Sequence, residues 1–489
     1  MTKLLQLYKD MPVYEKDTAK ALIKGLRLQL LQLQFQVAKQ DKPVILVIAG
    51  DDRAGRHETI NTLMGWLDPR FIRVNAYGPA EKLDEQKPFF WRYWRDIPAG
   101  GHIGIYMRAW TSTSVVQYLN DDISGKKLKR RLAYIRQFEK SLHDDGALVV
   151  KIWLHLSKDA HQERVDEIRD TSFFDPKDEL ALKNFDKAIE TIDHVLCETH
   201  SKDTPWHVIS GEDPTSRNIH AGQTILQAMQ KWLARAPVAV AAAEEYEAPP
   251  PADPNLLDSI DLSPEINKEE YDSSLKKYRE QLHQLMDQAH EQGQAVVCVF
   301  EGVDAAGKGG AIRRVASAID AGIYRIVPVA KPTDEEYAHH YLWRFWRHIP
   351  ANGMMTIFDR SWYGRVLVER VEELATPEQW MRAYDEINDF EEQLTIHGII
   401  VVKFWLHIDQ DEQMARFKAR EITPHKMHKI TDEDYRNREK WPQYREAIHD
   451  MLEKTSSKKA PWTIIPAQDK KYARVEVVKT LVKALKEAL

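Results

Sequence analysis

The sequence predicts an α/β protein built twice over, as two tandem copies of a parallel β-sheet sandwiched by helices. Three observations carry this. Runs of β-branched residues such as Val-Ile-Leu-Val-Ile at 44–48 and Val-Val-Cys-Val at 296–299 alternate with helical patterns, and such alternation makes parallel sheets covered on both faces. Motifs then recur at one offset of 252 positions: Gly50 to Arg56 on Gly302 to Lys308, Trp91 to Pro98 on Trp343 to Pro350, and Lys151 to His155 on Lys403 to His407. Between the copies, residues 236–251 are rich in Ala, Pro and Glu, a composition that cannot build a core and reads as a linker. The expected division is 1–235, a linker at 236–264, and 265–489.

Taken in order, each copy reads helix, strand, glycine loop, helix, short strand, aromatic-rich helix, strand, long polar helices, strand and helical tail. In the first, leucines at 22, 26, 30 and 33 lie at helical spacing. The following apolar run ends at Gly50. Trp343, Phe345 and Trp346, matched in the first copy, read as core aromatics rather than as chemistry.

The bulk properties bound the function. With 489 residues the chain is long enough for several domains, and 43% hydrophobic residues are ample for their cores. A net charge of −6 lacks the basic footprint of a general nucleic-acid binder, so any anion must be held by a local concentration of cations. Cys197 and Cys298 lie far apart and suggest neither disulfide nor zinc framework. The N-terminal residues lack a signal-type apolar core, and no run reaches the ~18 apolar residues of a membrane helix. These features point to a soluble cytoplasmic protein, without membrane or nucleic-acid partner.

The chemistry centres on Glu301-Gly-Val-Asp-Ala-Ala-Gly-Lys-Gly-Gly310. Gly302, Gly307 and Lys308 have the spacing of a phosphate-cradling loop. The missing Cβ atoms at Gly302, Gly307 and Gly309 let backbone N–H groups approach phosphate oxygens. The helix that follows offers its positive end to the same anion. Gly309 stands where such loops usually carry a magnesium-binding Ser or Thr, which makes Asp304 a candidate metal ligand.

A second strand, at 353–358, leads into Asp359-Arg-Ser-Trp-Tyr-Gly-Arg365. Ligands gather at the carboxyl ends of parallel strands, so Asp359 should emerge beside the loop as a second metal ligand. The alternative is a helix cap, from Asp359 or Ser361. Arg360 and Arg365 can clamp phosphate oxygens, and Lys331 is another strand-end cation. Arg370 reads equally as a phosphate ligand or a solvated charge. Basic residues crowd 416–445, among them Arg416, Lys426, Lys429 and Arg438. Residues 423–429 carry no acid, as suits a lid closing on phosphates.

With these motifs in view, residues 265–489 resemble the type 2 polyphosphate kinase family. Phe358 to Arg365 and the segment from Lys429 to Trp441 are similar to its AMP-phosphorylating subgroup, often a fused double domain. The resemblance implies a P-loop kinase-like fold with a helical lid, inorganic polyphosphate as donor, AMP as acceptor giving ADP, and magnesium (Mg2+) as cofactor. It makes Asp304 and Asp359 the acidic pair managing metal and acceptor, and Lys308 the phosphate binder. Arg360, Lys426, Lys429 and Arg438 would neutralise the chain. An ATP-dependent kinase, or a non-catalytic polyphosphate or nucleotide sensor, are the competing readings.

The first copy keeps the frame and changes the chemistry. Arg56 replaces the loop lysine, His57 and Glu58 replace two glycines, and Met107 replaces Asp359. Its counterpart of the lid, residues 166–176, is acidic. An inactive domain is expected, serving as partner in an internal pseudo-dimer, with further assembly into a homo-oligomer left open.

Overall fold

The computed structural model describes residues 4–51, 53–172, 176–235, 256–422 and 432–489. The chain groups into two compact units. One comprises residues 1–79, 92–244 and 333–340, the other 80–91, 245–332 and 341–489. Two short stretches, 80–91 and 333–340, thus group with the unit other than their sequence neighbours.

In the first unit the strands are β1 (Val44–Gly50), β2 (Ile72–Ala76), β3 (Ile103–Met107), β4 (Leu148–His155) and β5 (Trp206–Ser210), in spatial order β2-β3-β1-β4-β5. In the second they are β6 (Val296–Gly302), β7 (Tyr324–Pro328), β8 (Met355–Asp359), β9 (Ile400–His407) and β10 (Trp462–Pro466), in the corresponding order β7-β8-β6-β9-β10. Every ladder is parallel. This is the expected α/β architecture, with one strand more per copy than the sequence reading gave. The extra strands β5 and β10 are five-residue edge strands, and β10 ends in a proline. A short edge strand bounded by proline is the least legible kind in sequence.

The central strands bury completely because both sheet faces are covered. One face of the second sheet packs Val296, Cys298 and Phe300 with Leu282 and Met286 of the helix Lys268–Glu291 and Val478 and Leu481 of Lys470–Ala488. The other carries the aromatic helix, where Trp343, Phe345 and Trp346 are 5%, 4% and 1% exposed. They are core, as expected.

A buried polar post recurs in both copies. Lys403 Nζ donates to Glu391 Oε2 at 2.7 Å and to the Thr455 carbonyl at 2.7 Å, while Trp362 Nε1 and Tyr363 Oη donate to Glu391 Oε1. In the first copy Lys151 reaches Glu139 and the Thr199 carbonyl, both at 2.6 Å, and Trp110 donates to Glu139. A desolvated ion pair persists only when its hydrogen bonds are satisfied. This one fixes the loop after β8 to the sheet.

Candidate active site

The sheet register sets the site. Phe300 of β6 pairs with Asp359 of β8, so the loop leaving β6 and the end of β8 emerge side by side. Gly302 has φ +151°, and a Cβ there would lie 2.5 Å from the Leu406 carbonyl oxygen of β9. Only glycine fits that approach. Gly307 takes φ +112° as the cap of the helix Lys308–Ala316, turning the N-terminal N–H groups of that helix toward the cavity, where phosphate binds well.

The cavity above this rim has a volume of about 580 Å³. Asp304, Lys308, Gly309, Asp359 and Arg360 line it, so the structure brings the expected loop and strand-end residues together. Lys308 Nζ donates to the Gly302 carbonyl at 2.5 Å. Burial and the nearby Arg360 push the Lys308 ammonium below the usual lysine range, against Asp304, Glu301 and Asp359, which pull it back up. Arg360 stands in the left-handed region at φ +64°, and its Nη2 lies 3.1 Å from Asp304 Oδ1. Asn437 Nδ2 donates to Asp304 Oδ2 at 3.0 Å. Burial alone would raise the Asp304 carboxyl, but Lys308, Arg360 and the Asn437 hydrogen bond hold it below the usual aspartate range. Ser361, not Asp359, takes the capping role, its Oγ accepting from Tyr363 N at 3.3 Å.

Other expected residues fall elsewhere. Lys331 is exposed and lines neither this cavity nor the one beside it. Arg365 pairs with Glu369 at 3.0 Å over the Tyr341 ring. Arg370 binds Asp450 at 2.6 Å and Glu446 at 2.7 Å and stacks on Trp380; with its side chain 10% accessible it is not the solvated charge of one of its two readings. Arg438 donates to the Gln410 carbonyl at 2.5 Å and to Gln413 Oε1, bracing the residue whose Nε2 reaches the Asp304 carbonyl. Lys426 and Lys429 lie outside the described residues. Arg416, counted with the lid, is 4% exposed and donates to the carbonyls of Ala305, Ala306, Ala467 and Gln468. It is a buried brace under the loop, and Arg164 does the same for Arg53, Gly211 and Glu212 in the first unit.

The structure adds residues the sequence reading did not single out. Arg313, Lys470 and Arg474 line the cavity with Asn437, and Arg420 of the basic 416–445 stretch joins them, making a track of cations from three helices. A smaller cavity adjoins it, lined by Glu301, Asp304, Arg360, Trp405, Trp441 and Tyr444 among others. Asp304, Arg360 and Asn437 line both. Glu301 is 5% exposed and accepts from Ser361 Oγ at 2.8 Å.

In the first unit the corresponding loop is filled. Arg56 Nη1 donates to the Gly50 carbonyl at 2.5 Å, as Lys308 does to Gly302. Arg217 lies across Gly55, where an added Cβ would fall 1.7 Å from Nη1. Asp52 lies outside the described residues.

A parallel sheet whose central strand runs into a glycine loop, a lysine and a helix N-terminus, with an aspartate at the neighbouring strand end, defines a P-loop kinase-like phosphoryl-transfer protein. The chain belongs to the Polyphosphate kinase 2 (PPK2) family, which it matches twice, over residues 13–237 and 265–489. It is 43% identical to the polyphosphate:AMP phosphotransferase of Pseudomonas aeruginosa over 97% of both chains, and 37% identical to that of Acinetobacter johnsonii over 94% of this chain and 96% of the other. A solved Pseudomonas aeruginosa structure assigned to polyphosphate kinase 2 superposes with a TM-score of 0.90 at 42% identity, covering 99% of each chain.

Proposed function

We propose that the protein transfers the terminal phosphoryl group of inorganic polyphosphate to AMP, giving ADP, in its second unit. The observation that carries this is the cavity over Lys308, where Arg313, Arg360, Arg420, Lys470 and Arg474 join the loop. A single terminal phosphate needs few cations; a polyanionic chain needs a row of them. The relatives matched over nearly their whole length carry the same activity in their names.

The donor chain lies along the cation track with its last phosphate on the loop N–H groups and Lys308. The adjoining cavity, with Trp405, Trp441 and Tyr444, suits the nucleoside end of the acceptor, since aromatic faces take bases by stacking. Asp304 and Arg360, common to both cavities, sit where the acceptor phosphate meets the donor. Transfer then rests on alignment and charge neutralisation rather than on a covalent nucleophile. Arg360 and Lys308 neutralise charge on the migrating group; the lid expected at 416–445 has its centre, 423–431, outside the described residues.

Asp304 and Asp359 offer oxygen donors in the cavity, and neither His nor Cys lines it. Among the described residues no cluster of three or more metal-ligating side chains exists. That donor set fits magnesium, which keeps several waters and takes one or two carboxylates together with substrate phosphates. When bound, the ion would neutralise and align phosphate oxygens. Asp304, engaged by Arg360 and Asn437, would exchange one of these partners for it.

The first unit we read as inactive, its loop closed by Arg217 and its Asp359 position held by Met107. Its value as a partner domain to the second is part of the same proposal. Among the described residues neither Cys197 nor Cys298 forms a disulfide, which suits a reducing cytoplasm, and no helix is long and apolar enough to cross a membrane. The test is direct: purified protein, AMP, magnesium and long-chain polyphosphate, with ADP followed by chromatography. Absence of ADP would overturn the assignment.

A further inference from the structure

The two copies differ at one buried pair that lies within the loop and strand-end motifs but has no role in the reading of them so far. Glu301 ends the apolar part of β6 and Ser361 follows Arg360; their side chains meet at 2.8 Å, 5% and 2% exposed. At the same offset the first copy has Ala49 and Ala109, each 1% exposed. Both members are therefore present together in one copy and absent together from the other.

The fold does not need the pair. Ala49 pairs with Trp153 as Glu301 pairs with Trp405. Arg108 holds φ +53° and Arg360 φ +64°, so the left-handed turn after the strand survives with alanines at both positions. Removing a carboxylate from water costs several kcal/mol unless other groups compensate it. A buried charge that the backbone does without, kept only beside Lys308 and Asp359, is where function is expected to override stability.

Resting on the reading of the two cavities as donor and acceptor sites, we propose that Glu301, held by Ser361, is a positioning residue for phosphoryl transfer. Its carboxylate fixes the Lys308 and Arg360 cations at the junction of the two cavities. Glu301 lines the acceptor cavity together with Arg360 and Asp304. Its hydrogen-bond partner Ser361 also accepts from the Tyr363 amide, which ties the carboxylate to the buried Lys403 post. The carboxylate is thus rigidly placed, and it acts through the cations rather than on the substrate.

The test compares wild type, Glu301→Gln, Glu301→Asp, Ser361→Ala and Glu301→Ala/Ser361→Ala in the full chain, with polyphosphate, AMP and magnesium. Glu301→Gln should lower kcat on the order of 10²-fold, the scale of a lost alignment, with KM for AMP and for polyphosphate within about threefold of wild type. Its Tm should hold or rise, since a buried charge has been removed. Glu301→Asp should recover part of kcat. The double alanine variant copies a pair that the same backbone already accommodates, so it keeps the test open should Glu301→Gln fold poorly; it should be as slow as Glu301→Gln and as stable as wild type. Retention of kcat within about threefold in either variant, or a loss of rate that merely follows a fall in Tm, would overturn the proposal. An inactive wild type would instead overturn the assignment of donor and acceptor on which it stands.

Discussion

Arg360 Nη2 stands 3.1 Å from Asp304 Oδ1, joining the end of β8 to the phosphate loop. The arginine is half exposed and the aspartate largely covered, with side chains 46% and 16% accessible. This is a contact made to be exchanged: a phosphate oxygen can take the guanidinium, and a cation the carboxylate. We expect Arg360→Ala to lower kcat by about 10²-fold or more, as for loss of a preorganised electrostatic group. Asp304→Asn should do the same and raise the magnesium concentration needed for half-maximal rate. Initial-rate titrations of magnesium at saturating AMP and polyphosphate check both.

Arg416 and Arg420 are one helical turn apart and do different work. Arg416 feeds four backbone carbonyls around the loop and is itself buried, whereas Arg420 lines the cavity. Arg416→Ala should cost about 3 kcal/mol or more in unfolding free energy, because the carbonyls it serves are left without partners. Arg420→Ala should leave stability unchanged and raise KM for polyphosphate several-fold. Urea unfolding of both variants, with donor titrations, separates the roles.

Arg370 bridges Asp450 and Glu446 away from the two cavities. Its removal breaks that buried pair and leaves the Asp450 carboxylate, whose side chain is 7% accessible, with Lys454 at 2.9 Å on its other oxygen. We expect Arg370→Ala to lose about 3–5 kcal/mol, the scale of a broken buried pair, while the surviving folded enzyme keeps its KM for both substrates. Kinetics below the melting range, normalised to folded protein, check this.

His407, at the end of β9, is one source of pH-dependent stability. Burial depresses its imidazole to about 4, with Arg445 and His449 helping and Asp409 and Asp258 opposing. A histidine depressed on folding binds its proton more readily in the unfolded chain. Its contribution to stability is therefore intact above the unfolded value of about 6.5 and is lost as pH falls toward the folded value. The slope should approach about 1.4 kcal/mol per pH unit within that window. Urea midpoints from pH 7 to pH 4 should fall less steeply in His407→Gln than in wild type.

The loop and the strand-end aspartate were legible in the sequence because strand, glycine turn and helix are contiguous there, and local chemistry is written in local order. The repeat added its own information, since Met107 opposite Asp359 and Arg56 opposite Lys308 mark which copy holds the chemistry. The cation track was only partly legible: Arg420 lies in the basic stretch, but Arg313, Lys470 and Arg474 stand on two other helices that meet it only in the folded unit. Arg416 and Arg370 misled for the converse reason. A buried arginine that serves carbonyls or carboxylates looks, in one dimension, like any surface cation. Lys331 misled because a strand end in the right sheet was taken for a place at the cavity. Glu301 could have been found by laying the copies side by side, where Glu301 and Ser361 both meet alanine.

In the proposed reaction, cations and carboxylates gathered on one rim of the second sheet grip a polyphosphate chain and pass its terminal phosphoryl group to AMP. The most direct measurement is the rate of ADP formation from AMP and magnesium with polyphosphate or ATP as donor, in wild type, Lys308→Ala and Arg56→Ala. We expect ADP from polyphosphate and not from ATP, a loss on the order of 10³-fold in Lys308→Ala, and a rate within about twofold of wild type in Arg56→Ala, where the matching loop is already closed by Arg217. Equal rates from ATP, or a Lys308→Ala enzyme as fast as wild type, would contradict it.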